Sequence, residues 1–103
     1  MGKDMGEFPS KDRFFEQLNT KFQAGLGEAQ SFEMEMVQAE TTVSSSIQDG
    51  FSLTFRAPPD APPQQDTFNL THPTLGSMDI FLVPIRKDDD GLYFEAIFNR
   101  LLV

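Results

Sequence analysis

The sequence predicts a mainly β fold, α+β only at its margin. It should hold about six antiparallel strands in a curved sheet or small barrel, preceded by one short N-terminal helix. Three observations carry this expectation. From Phe51 to Asn99 apolar and polar residues alternate in runs, the period-two pattern of strands with one buried face. Breaks rich in Pro, Gly and Asp separate those runs. The chain also carries 11 Phe against 1 Tyr and no Trp, a bias toward side chains that bring apolar area without a polar handle. A length of 103 residues fits one domain. Residues 1–9 read as a flexible N-terminal tail, and 10–103 as a single β-rich domain.

The helix comes first. Ser10 stands where an N-cap belongs, and Asp12 suits the positive end of the helix dipole. Phe14, Phe15 and Leu18 give one apolar stripe, so a helix is expected from about Lys11 to Asn19, covering a face or an open end of the sheet. Thr20–Leu26 reads as the first strand. In the second, Phe32, Met34 and Met36 alternate with Glu33 and Glu35. The serine-rich stretch Thr41–Asp49 reads as a loop. Phe51, Leu53 and Phe55 then face one way, and Ser52, Thr54 and Arg56 the other.

Four prolines between Pro58 and Pro63 must end that strand, because proline cannot continue a ladder. A Pro-Pro pair can dock on SH3-like grooves, but a PxxP core flanked by basic residues is not made out here, and a rigid connector is expected. Asp66–Thr71 is the next strand, with Phe68 and Leu70 inward, followed by a tight turn at 72–76. In the strand Ser77–Ile85 the alternation collapses into Ile80-Phe81-Leu82-Val83. A strand apolar on both faces is expected to be central and covered on both sides, partly by the helix. Lys87–Gly91 is a hairpin loop. The last strand places Leu92, Phe94, Ala96 and Phe98 on one face and Tyr93, Glu95 and Ile97 on the other. Meander order would set each strand beside its sequence neighbour.

Composition narrows the function classes. With 16 acidic and 8 basic residues the net charge is −8, which argues against nucleic acid and against anionic membranes. An acidic surface serves solubility, and secondarily a basic protein partner. There is no Cys, so disulfides and thiolate chemistry are excluded. The N-terminal residues show no apolar secretory core, and Gly6 stands where myristoylation wants Ser or Thr. The longest apolar run, Ile80–Ile85, is far short of a membrane helix. A cytoplasmic location is expected.

Each candidate for chemistry has a plainer structural reading. Asp88-Asp89-Asp90-Gly91 lacks the alternate ligands of a calcium loop and reads as a solvated turn. His72 is the single histidine, with no nucleophile or orienting carboxylate at a diagnostic spacing, and is expected to cap backbone groups in its turn. Glu33, Glu35 and Glu40 read as a solvated strand face. Arg56 and Glu95 would form a cross-strand ion pair if their strands meet. No phosphate loop or nucleophile elbow is present. No catalytic, metal or cofactor site is expected.

The strings FSLTFRAP, Gln65-Asp66-Thr67-Phe68 leading to LTHPTLG, MDIFLVPI and YFEAIFN together resemble a family of small bacterial domains of unknown function. Its members share FSLxF, HPxLG, FLVP and YEAxFN motifs in that order. The resemblance covers Phe51–Asn99, and loosely Phe15–Phe22. This chain departs from it in having Phe94 between Tyr93 and Glu95. The shared motifs are strand cores and turns, so they imply a fold and assign no residue a role. The resemblance also implies a link to a phage-tail-like structure. The function expected is therefore non-enzymatic: a protein-interaction or assembly domain, with self-association among its forms. The alternative is a small-molecule-binding β-barrel. Ile97, Leu101 and Leu102 are the expected contact residues, because apolar side chains there are awkward in water.

Overall fold

The computed structural model describes residues 8–27 and 30–101. One helix, α1 (Lys11–Phe15), precedes six strands: β1 (Lys21–Leu26), β2 (Gln30–Ser44), β3 (Gln48–Ala57), β4 (Asp66–His72), β5 (Gly76–Asp88) and β6 (Gly91–Leu101). All pairings are antiparallel, and the strands close into a barrel in the order β1-β2-β3-β6-β5-β4. The mainly β fold with one short helix is the architecture the alternation predicts.

The strand order departs from a meander at one place. β3 pairs with β6 rather than with β4, and β4 closes the ring against β1. The proline-rich connection explains this. Residues 58–65 cannot supply the hairpin ladder that would keep β4 beside β3. They fold instead into short turns, with Ala61 N–H donating to the Pro58 carbonyl and Gln64 N–H to that of Pro62. Ala61 is buried, and the chain returns as β4 on the far side of β5 and β6. Strands β4, β5 and β6 with β3 beside β6 form a Greek key.

Two groups of Phe rings fill the interior. Phe22 meets Phe55 edge-on, and Phe68 meets both Phe94 and Phe32. Toward the other end Phe51 stacks on Phe98 at 4.7 Å, and Phe14 leans on both. Here α1 covers the barrel end, tied by Lys11 to Asp49 and by Arg13 to the Thr74 carbonyl. Its aromatic contacts are with β3 and β6, not with β5 as expected. Ser10 caps it by accepting from Arg13 N–H. The helix stops at Phe15 and continues as turns, because the chain must double back into β1. Asn19 makes that reversal at φ 70°, a left-handed conformation asparagine tolerates, and its N–H reaches the Met36 carbonyl.

Two further expectations are corrected. The stretch 41–49 is mostly strand: β2 runs to Ser44 and β3 starts at Gln48, leaving a turn at 45–47. Thr41, Thr42 and Val43 favour extended backbone, and the Ser45 hydroxyl holds the turn by accepting from Ile47 and Gln48 N–H. On β5, Ile80 and Leu82 are buried but Phe81 is 53% exposed. The strand is not covered on both faces.

Gly50 is buried where β2, β3 and β6 cross. A Cβ there would lie 2.5 Å from Asn99 Oδ1 and 2.7 Å from Val43 Cγ1. Two substitutions follow. Phe68→Ala removes a fully buried ring and should cost about 3–5 kcal/mol in urea unfolding. Gly50→Ala should cost about 1–3 kcal/mol through overpacking, although the added methyl is apolar and alanine loses less entropy than glycine.

Candidate functional site

Among the described residues, no set of His, Asp and Glu is placed to hold a metal ion, and no helix is long and apolar enough to cross a membrane. The polar residues singled out in the sequence fall into separate structural roles. Asp88 closes the β5–β6 turn. Its Oδ1 accepts from Asp90 N–H at 2.8 Å and from Gly91 N–H at 3.2 Å. Desolvation pushes the Asp88 carboxyl up, but these bonds, the Tyr93 hydroxyl and Arg86 outweigh it and hold the group below its ordinary 3.8. Arg86 also lies 3.7 Å over the Tyr93 ring, which keeps that outward-facing ring buried.

Arg56 does not meet Glu95. The register sets Tyr93 opposite Arg56 on β6 and Glu35 opposite it on β2. The guanidinium therefore reaches Glu35 at 3.0 Å. Glu33 pairs with Lys21 at 3.6 Å, and Glu40 is exposed.

His72 is buried and bonded at both ring nitrogens. Nδ1 accepts from Thr74 N–H at 3.0 Å and Leu75 N–H at 3.3 Å, which caps the turn. The Thr20 hydroxyl donates to the Gln17 carbonyl at 2.6 Å, so at His72 Nε2, 2.9 Å away, it must accept. These bonds fix the neutral ring with its proton on Nε2. A proton on Nδ1 would point at two donors. Burial already pushes the His72 pKa below its ordinary 6.5, and this bonding acts in the same direction.

The remaining feature is a groove of about 630 Å³ on the outside of the barrel between β5 and β6. It follows from how β5 divides its pairing. Residues 76–82 pair with β4, whereas Val83–Asp88 pair with β6. The last rung toward β6 is Val83 opposite Glu95. Beyond it the strands diverge, and among the described residues β5 from 76 to 82 and β6 from 96 to 101 have no strand on their facing sides. Phe8, Phe81, Val83 and Ile97 line the gap, with Asp79 and Glu95 as its charged residues.

The apolar lining is not core that happens to show. Ten of the 11 Phe rings pack against another aromatic ring, and Phe81 is the exception. Ile97 is 62% exposed. Leu101 follows on the same face of β6 and is 72% exposed. The structure thus brings Ile97 to the groove and sets Leu101 along the same open strand. Leu102 lies outside the described residues, as do residues 1–7 of the expected tail. Phe8 packs edge-on against Phe98, 5.6 Å between centroids. Phe81 is the functional candidate that sequence reading missed. A break in the alternation is its visible sign, and by pattern alone that break reads as a covered face.

A closed six-stranded antiparallel barrel with a Phe-filled interior, a helix over one end and an apolar seam in its wall defines a small β-domain. The family described as "Domain of unknown function (DUF6916)" matches residues 9–98, and the chain belongs to that family. No curated protein and no solved structure gives a significant match.

His72 makes a prediction. Its folded pKa lies below the unfolded value, so as pH falls from about 6.5 the unfolded chain takes up its proton first. Folded stability should decline over that interval, down to the folded pKa, and then stop responding to this group. Urea unfolding followed across that range should show the slope in the parent chain, and His72→Gln should flatten it.

Proposed function

We propose that the chain is a non-enzymatic protein-interaction or assembly domain that docks through the β5–β6 seam. The observation that carries this reading is the contrast between the open stretches of β2 and β6. Strand edges invite pairing with other chains, and proteins blunt them with bulges and polar residues. β2 does so. Its stretch Val37–Ser44, laddered to β3 but open on the other side, is interrupted by register shifts at Met36/Gln38 and Thr41/Val43 and is mostly polar. β6 runs against β3 without a shift from Gln48/Leu101 to Ala57/Leu92. Its open side is regular and flanked by Phe81 and Ile97. The β2 edge is defended and the β6 edge is available.

Self-association is one form this docking can take, with Leu101 beside the seam as a contact. A phage-tail-like structure, suggested by the sequence resemblance, is another setting for it. The small-molecule reading has less support, because Phe22, Phe55, Phe68 and Phe94 fill the space such a barrel would need. The net charge of −8 does not suit nucleic acid or anionic membranes, and a chain without cysteine suits a reducing cytoplasm.

The test is photo-crosslinking in cells that make the protein, with the reactive side chain at position 81 and a control at Asp60 on the proline-rich connection. A discrete protein adduct from position 81, lost on Ile97→Asp, is the expected result. Adducts from position 60 alone, or a position-81 adduct indifferent to Ile97→Asp, would show that the seam is not the contact surface.

A further inference from the structure

Resting on the docking seam above, the geometry points to an occupant of definite chemistry: an extended segment of another protein, apolar at alternate positions and carrying Lys or Arg, that inserts as a seventh strand between β5 and β6. Three independent features select it. The first is backbone. Among the described residues, 76–82 of β5 and 96–101 of β6 each lack a strand on the side facing the other. An extended chain in the gap would find a ladder on both sides, the mode in which main-chain bonds give affinity and alternate side chains give specificity. A helix would leave both ladders unused.

The second is the apolar lining. Phe81, Val83 and Ile97 lie on the two walls, with Phe8 and Phe98 toward the barrel end. Phe81 and Ile97 face outward from neighbouring strands. Apolar side chains at alternate positions of an inserted strand would cover them and exclude water from the seam.

The third is charge. The charged residues lining the groove, Asp79 and Glu95, are both acidic. Asp79 is engaged, accepting from Asn69 Nδ2 at 3.0 Å. Glu95 sits half-buried at the last rung and, among the described residues, takes part in no ion pair or side-chain hydrogen bond. A basic side chain on the entering strand would pair with it. The overall charge of −8 steers a cationic segment toward the domain and opposes a second copy of the same chain.

The experiment selects a random peptide library on the immobilised full chain, then maps the enriched peptide by amide exchange and titration. Apolar residues alternating with Lys or Arg are expected in the selected peptides. Binding should slow exchange within 96–101, weaken with added salt, and fall roughly tenfold on Glu95→Gln. Phe81→Ser, on the exposed face and outside the core, should abolish it while leaving the melting temperature near that of the parent. No enrichment, a consensus without basic residues, or exchange protection outside β5 and β6 would each overturn the inference. So would a stable dimer in light scattering whose formation requires Ile97. That last outcome would leave the seam a docking surface and change only its occupant, whereas a position-81 adduct in cells that never forms, or that is indifferent to Ile97→Asp, would remove the surface itself.

Discussion

Closure of the barrel rests on its shortest ladder. β1 and β4 share three paired positions, Gln23 with Thr71, Ala24 with Leu70 and Gly25 with Asn69. So few rungs would fray if they stood alone. His72, one residue beyond the ladder, supplies the missing attachment. It joins Thr20 through Nε2, its ring packs 4.5 Å from Phe22, and Nδ1 holds the turn into β5. One buried side chain thus ties the chain just before β1, the body of β1, the end of β4 and the following turn. The residue with the richest chemical potential in the sequence serves architecture, and its bonding at both nitrogens leaves no lone pair free for catalysis.

Closing the ring at that point fixes where the strands cannot meet. Six strands leave little slack, and one long strand divides its length between its neighbours. β5 does so at Leu82/Val83, changing from β4 to β6. At the turn end, Arg86, Asp88 and Tyr93 fasten the β5–β6 hairpin. With that end held and the β4 side paired, the opposite end of the hairpin has to spread. The seam follows from the same geometry that closes the barrel, and α1 covers the overhanging end without filling it.

Local pattern made most of this fold legible. Period-two alternation located β2, β3, β4 and β6, Phe22 marked β1 and the apolar run Ile80–Val83 marked β5, and the Phe bias indicated a packed interior. What escaped were features decided by distant pairing. The proline-rich connection showed that β3 must stop but not that β6 would take its other side. The Thr-Thr-Val stretch was hidden by the serines that follow it, of which Ser45 serves a three-residue turn instead of a long loop. Arg56 found Glu35 because register, which no local pattern encodes, set those two opposite each other. Within the site, Ile97 was legible because it breaks an otherwise polar face. Phe81 was not, because an apolar residue between two core positions looks the same whether its own face is covered or bare.

That ambiguity at Phe81 has an energetic resolution. A half-exposed Phe on an outward strand face contributes little to the core and adds apolar surface in water, whereas a Thr would keep the strand preference without it. Ile97 across the gap carries the same cost, and neither side chain relieves the other, since the strands have already diverged at the preceding rung. Each is unfavourable singly, and together they form the walls of one groove above two unused ladders. Apolar side chains on both banks of an open seam become favourable only when something lies between them, and in the proposed docking the carboxylate of Glu95 would favour a basic group there.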